Sequence, residues 1–320
     1  MIPFSPTDDG ADLVETAFLC QALICLREYF KNGNSTEIAL SQQADQLWQG
    51  VEWDWFTQGG QNTLYWHWSP KYGWSTNMTI SGSNEALISY ILAASSPTHN
   101  ISASVYNQGW ARNGAISSKT TYYGLPVILN YAGSAGTVGP MFFSHYSYLG
   151  LDPRGLTDKY ENYTAATQNH AKIMYNYCVA NPHNWTGYGQ NCWGLTASFS
   201  LNATNMQTTY AVQQPTHDIG VISPTAALSS FPYTPNESMA FLRFLYEEEK
   251  SNYVGVAGPF DAFSPHYNWV TPSYLAIDQG TISPMIENYR SGLLWKLFMN
   301  AQDIRKGLVG LGFHSAEYNF

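Results

Sequence analysis

With 320 residues, 44% of them hydrophobic, the chain can bury a sizeable core, and its length allows one large domain or two. Only 12% of residues are charged against 15% aromatic, and the net charge of −9 with 14 Lys plus Arg excludes a nucleic-acid groove, which needs clustered cations, and disfavours polyanionic sugars. No apolar run reaches the roughly 20 residues of a membrane span, and "MIPFSPTDDG" lacks the basic and apolar regions of a signal peptide, so the chain as written reads as soluble.

The stretch "SPTDDGADLVETAF" sets Asp8, Asp9, Asp12 and Glu15 at the mouth of the first predicted helix, Leu13 to Phe30, whose apolar residues wrap most of its circumference. After the turn "NGNST" a one-sided helix from about Thr36 to Gly50 suits an outer position. Val51 to Ser83 reads as a long aromatic connection, followed by helices at Asn84 to Ala94 and Tyr163 to Val179. Cys178 and Cys192 flank the loop "NPHNWTGYGQNCWG" and could close a disulfide. Further helices are predicted at Asn236 to Lys250, at Ser283 to Asn300 with Ser283 as cap and Pro284 in the first turn, and at Gln302 to Val309. There is no Cys-x-x-Cys and no His-Glu-x-x-His, so neither a metal nor another cofactor is expected. The seven Asn-x-Ser/Thr sequons fall to chance in a chain so rich in those residues. Alternation of inner apolar and outer amphipathic helices predicts an all-α fold, an α/α toroid whose loops at one end build a cleft.

Stacked aromatics with neutral Asn, Gln and Tyr suit a neutral sugar, which offers an apolar C–H face and a rim of hydroxyls. Trp53, Trp55, Trp66, Trp68 and Trp74 fall within one connection. Each is singly as often core as groove; together they favour a lined groove. Cleaving a glycosidic bond needs one carboxylic acid to protonate the leaving oxygen and one carboxylate to activate water or attack carbon. Asp12 and Glu15 share a face of an opening helical turn, where a capping box is the equal alternative. Glu85 opens a nearly all-apolar helix, where burial would prepare it as an acid; the alternative is a glutamate complementing the helix dipole. Asp278 sits in the loop "AIDQG"; Asp218, in the loop "QQPTHDIG", shapes a turn as readily as it touches a sugar; and Glu287 with Arg290 reads more readily as a structural ion pair than as a catalytic group, so Asp218 and Glu287 stand as substrate-binding candidates only.

The segments "DDGADLVETAFLCQALICLREYF", "VEWDWF", "LYWHWSP", "NEALISYILAASSPTH", "FFSHYSYLGLDPRG", "CWGLTAS", "SPTAALSSFPYTPNESM" and "YLAIDQGTISPMIENYRSGLLWKLFM" resemble the glycoamylase-like family, which includes bacterial endo-β-1,2-glucanases of glycoside hydrolase family 144. The resemblance runs nearly end to end. It implies a single (α/α)6 toroid domain over residues 1–320, an inverting endo-hydrolysis of β-1,2-glucan without metal or cofactor, and export to the periplasm or beyond. It also implies Glu85 as general acid, Asp278 on the base side, and Asp8, Asp12 and Glu15 lining the glucose-binding cleft. An inverting pair would face one another at roughly 6.5–9.5 Å. Family members carry further helices ahead of "DGADLVET", whereas seven residues precede Asp8 here, so the toroid is expected to lack N-terminal helices. Two other classes are weighed: a glycan-binding protein without catalysis, disfavoured by the intact carboxylates, and a polysaccharide lyase on the same architecture, disfavoured by the poverty in cations.

Overall fold

The computed structural model describes residues 9–202 and 204–320. Asp8 lies outside the described residues. Helix makes up 44% of the chain, and among the described residues the strands form only two-stranded antiparallel pairs. In chain order the elements used below are β1 (Ala11–Asp12), α1 (Leu13–Phe30), α2 (Ser35–Gln49), β2 (Leu64–Tyr65), β3 (His67–Trp68), β4 (Thr79–Ile80), α3 (Leu87–Ser95), α4 (Tyr163–Ala180), β5 (Ala197–Leu201) and β6 (Thr208–Val212). They continue with α5 (Pro224–Leu228), α6 (Pro235–Arg243), β7 (Ala262–Ser264), β8 (Trp269–Thr271), α7 (Ala276–Gln279), α8 (Ile282–Arg290), α9 (Leu293–Asn300) and α10 (Gln302–Leu311).

The chain forms two compact units. The first comprises residues 1–117, 146–164 and 293–320. Its centre is α3, in which Leu87, Ile88, Tyr90, Ile91, Leu92 and Ala93 are all buried, and α1 and α10 pack on it. Gly307 of α10 permits the close approach: a Cβ there would lie 2.0 Å from the Ser95 hydroxyl. Helix α1 also packs against α2 and α9, burying Leu13, Val14, Ala17, Cys20, Ile24 and Cys25. Its burial is less complete than the sequence suggests, since Leu19 and Glu15 share an exposed face. Asn34 and Glu37 close a full capping box on α2, which explains the sharp start after the turn. Arg27 of α1 ties the helices together through Asp303 of α10 and Asp45 of α2, each at 2.8 Å.

The second unit comprises residues 118–145 and 165–292. The hairpin β5–β6 pairs Phe199 with Tyr210, β7 pairs with β8, and β7 lies against β5. Helix α5 packs on α6 and α8.

Several predicted elements differ. The long helix expected over Ser283 to Asn300 is two helices, because Ser291 and Gly292 turn their N–H groups back to the Glu287 and Asn288 carbonyls and Gly292 adopts φ +67°, a helix-ending conformation open to glycine. Helix α8 begins at Ile282, so Ser283 lies inside it and is not the cap. The helix expected over Asn236 to Lys250 begins at Pro235 as α6 and loosens into a π turn at Phe244–Glu248. Cys178 and Cys192 are buried free thiols and not a disulfide; dry surroundings push both thiols far up their range, so each behaves as a small apolar side chain.

Candidate active site

In the first unit, β1 and β3 bring the acidic mouth of α1 against the aromatic connection, with Asp12 opposite His67 and Ala11 opposite Trp68. One oxygen of Asp12 caps α1, accepting from the Val14 and Glu15 N–H groups at 2.8 and 2.9 Å. The other accepts the Trp66 indole N–H at 3.0 Å. Asp12 is therefore the cap of α1, as one of its two readings had it, and it also fixes a half-buried tryptophan. Asp9 accepts the Ser69 hydroxyl at 2.5 Å, anchoring the turn after β3.

Glu85 lies in the turn just before α3 and not in its first helical turn, because Ala86 closes that turn on the Asn84 side chain. Ser147 holds the position from both sides, donating its hydroxyl to the Glu85 carbonyl and accepting the Ile88 N–H at 3.0 Å. The residue keeps partial access to solvent, yet the protein around its carboxyl strips enough water to push it up to about 7. Its own backbone N–H pulls the other way, and the neighbouring carboxyls of Glu15 and Asp12 add to the rise. Glu15 is raised too, by partial burial and then by Asp12. Asp12, Glu15, Trp66 and Glu85, four residues singled out in the sequence, thus form one cluster.

The tryptophans divide. Trp53 is fully buried, tilted against Trp48 at 5.9 Å, and is a core residue, which corrects its place in the lined groove. Trp55 is 50% exposed and meets Trp68 edge-on at 5.7 Å and Trp74 at 6.2 Å. Trp66, Trp68 and Trp74 are half-buried.

The second unit holds Asp278 on the one-turn helix α7, where the sequence suggested a loop. Only 3% exposed, Asp278 accepts the Tyr210 hydroxyl at 2.8 Å, while the Thr225 hydroxyl binds its carbonyl at 2.7 Å. Asp261, fully buried and absent from the sequence candidates, stands beside it, with one oxygen accepting the Phe199 N–H at 2.7 Å. Burial first, and then the negative charge of Asp261, push the Asp278 carboxyl up to about 7 against the pull of Tyr210. The segment "GPFDAFSPHYNW" carried the available signal for Asp261, an aspartate inside an aromatic run.

Asp218 spends its carboxylate on protein donors: the Tyr177 and Tyr188 hydroxyls, the Trp185 indole and the Gly220 N–H, all within 3.0 Å. It organises the loop around it, and a sugar hydroxyl would have to compete with four donors. Glu287 pairs with Arg290 at 3.2 Å and accepts the Ser291 hydroxyl at 2.5 Å on an exposed surface, the structural ion pair that the spacing suggested. Among the described residues no group of three or more His, Cys, Asp or Glu could hold a metal ion, and no helix is long and apolar enough to cross a membrane.

The Glycoamylase family model, described as "Putative glucoamylase", matches residues 77–302. The chain is 42% identical over 326 residues to an exo beta-1,2-glucooligosaccharide sophorohydrolase (non-reducing end) of Parabacteroides distasonis, a match that takes in 95% of this chain and 44% of that protein. It thus spans less than half the length of this curated relative. Among solved structures, the endo-beta-1,2-glucanase from Chitinophaga pinensis in complex with sophorotriose and glucose is 49% identical with a TM-score of 0.93, over 98% of this chain and 74% of that one. A beta-1,2-glucanase from Parabacteroides distasonis is 41% identical with a TM-score of 0.89, over 97% of this chain and 46% of that one.

Proposed function

Because the chain belongs to the Glycoamylase family, we propose that it is a glycoside hydrolase that cleaves β-1,2-glucan internally by an inverting mechanism. The observation that carries the reading is Glu85: a partly exposed residue whose carboxyl is raised to about 7 by its surroundings and set beside Asp12, Glu15 and a half-buried tryptophan. Such a group holds a proton at neutral pH and gives it up readily, which a general acid must do. In the proposed reaction Glu85 protonates the glycosidic oxygen as the bond to the anomeric carbon breaks. Asp278 takes the proton of the attacking water, directly or through a substrate hydroxyl, and the new bond forms on the opposite face of the sugar.

Asp8, Asp12 and Glu15 are proposed to accept hydrogen bonds from vicinal sugar hydroxyls, with Trp66 and Trp68 offering ring faces to the C–H side. Asp218 is proposed to contribute through the loop it organises, and Glu287 through the end of α8, which it holds with Arg290 and Ser291. The framework proposed for these residues is a single (α/α)6 toroid, supported by the TM-score of 0.93 to a β-1,2-glucanase, and the proposed working place is the periplasm or beyond. Incubation with β-1,2-, β-1,3- and β-1,4-glucans, followed by product sizing, tests the reading. Cleavage of the β-1,2 polymer alone, with intermediate oligosaccharides appearing early, is expected. Early release of a single disaccharide species would favour exo action, and no cleavage by a folded sample would sink the proposal.

A further inference from the structure

The hairpin β5–β6 grips two carboxyls with one cross-strand pair. Phe199 donates its N–H to Asp261 at 2.7 Å, and Tyr210, its partner across the ladder, donates its hydroxyl to Asp278 at 2.8 Å. The rings of the pair meet edge-on at 6.3 Å, which stiffens the grip. Each carboxyl thereby has one satisfied oxygen. The remaining two, Asp261 Oδ1 and Asp278 Oδ2, are buried and find no donor among the described residues. The Asp261 charge acts on Asp278, and with no other donor at hand the two oxygens can satisfy one another only if one of the carboxyls carries a proton. The pair is held from other directions as well: the Asp261 N–H binds the Ser273 carbonyl at 3.0 Å beside the β7–β8 hairpin, and Thr225 of α5 binds the Asp278 carbonyl.

We propose that Asp261 is a positioning residue for Asp278: the two carboxyls share a single proton inside the clamp formed by Phe199 and Tyr210, and Asp278 can act as a base only while that proton resides on Asp261. This rests on the reading of Asp278 as the base. A lone buried carboxylate would be costly to ionise and free to turn. Paired with Asp261 it is fixed by two hydrogen bonds, and a proton acceptor next door can hold the proton while Asp278 stays open. The titratable groups facing Asp278 are Asp261 and Tyr210, and burial beside the two carboxyls keeps the Tyr210 hydroxyl protonated, so it remains a donor throughout. Burial raises Asp261 as well, while the Phe199 N–H favours its charged form.

The test uses protein labelled with carbonyl-13C aspartate, its Asp261 and Asp278 resonances assigned by single substitutions and followed from pH 3 to 9. In the unaltered chain both resonances should show the same two inflections, one low and one high, as coupled sites do. A single ordinary inflection for each would overturn the pairing. In Asp261→Asn the amide can still accept from Phe199 and offers a permanent donor to Asp278, so the Asp278 inflection should fall by about one pH unit or more. An unmoved Asp278 inflection in a folded variant would also overturn it. The acid limb of kcat/KM on β-1,2-glucan should fall by the same amount. If the resonance moves and the limb does not, the pairing stands, and it is the assignment of Asp278 as base that fails.

Discussion

At the scale of single residues, the chain raises two carboxyls to about 7, each by burial first and by neighbouring charge second: Glu85 beside Glu15 and Asp12, Asp278 beside Asp261. Replacing Glu85 by Gln keeps shape and hydrogen bonding but removes the transferable proton. Turnover of β-1,2-glucan should fall roughly 10²- to 10⁴-fold with oligosaccharide binding largely retained. A variant that keeps more than about a tenth of the rate would refute the assignment, and in the parent the basic limb of the rate should set in near pH 7 as Glu85 loses its proton. Asp278 also predicts a pH dependence of stability. Below the unfolded value of about 3.8 both states are protonated; from there to about 7 the folded state binds the extra proton, so stability falls as pH rises through that window and levels off above it. Asp278→Asn should flatten this slope, its Tm relative to the parent rising by at least about 2 °C from pH 4 to pH 8 in thermal melts. Parallel pH profiles for parent and variant would show that Asp278 titrates at an ordinary value.

At the scale of elements, the connection after α2 does two jobs, and the tryptophans can be sorted by exposure. Trp53 is sealed against Trp48, while Trp68 is half-buried and meets the exposed Trp55 by its edge. Truncating a sealed tryptophan costs about 3–5 kcal/mol. Trp53→Ala should therefore lower Tm strongly without changing affinity per folded molecule, whereas Trp68→Ala should weaken sophoro-oligosaccharide binding several-fold at a smaller cost in Tm. Calorimetric binding together with melting of both variants decides, and equal destabilisation with unchanged affinity would return Trp68 to the core. The same contrast explains what could be read in advance. Helices α1, α2 and α4 follow from apolar periodicity, and the start of α1 also from Asp12 as a cap, all local signals. The break at Gly292 hides inside a continuous apolar pattern, because periodicity does not report a residue turning to positive φ. The paired strands are two to five residues long, too short to establish alternation, so β5–β6 was invisible although it carries Tyr210. Asp261 was missed for that reason: its partner is chosen by a hairpin register and not by spacing along the chain.

At the scale of the whole molecule, the two carboxyls assigned to catalysis fall in different compact units, Glu85 in the first and Asp278 in the second. Glu85 as an acid was legible in the apolar helix that follows it, and Asp12 and Glu15 in the acidic mouth of α1; their joining in one cleft came only from the family resemblance, since sequence carries no geometry. The poverty in charge makes its own prediction. A neutral glucan is bound by hydroxyl–carboxylate hydrogen bonds and by ring faces, which salt screens weakly, while a uronate substrate would be drawn by long-range attraction that salt suppresses. With 14 Lys plus Arg against 23 Asp plus Glu, the protein has little to offer a polyanion. Its kcat/KM on β-1,2-glucan should change by less than about twofold from 0.05 to 0.5 M NaCl, a range over which the Debye length falls from roughly 14 to 4 Å. Proton NMR of the first product formed should show the new reducing end in the α configuration before mutarotation, because water enters opposite the departing oxygen of a β linkage. A β-configured first product would require a covalent intermediate on a carboxylate and would overturn the inverting assignment. An unsaturated product would identify elimination, and steep loss of rate with salt would point to the same charged class of substrate.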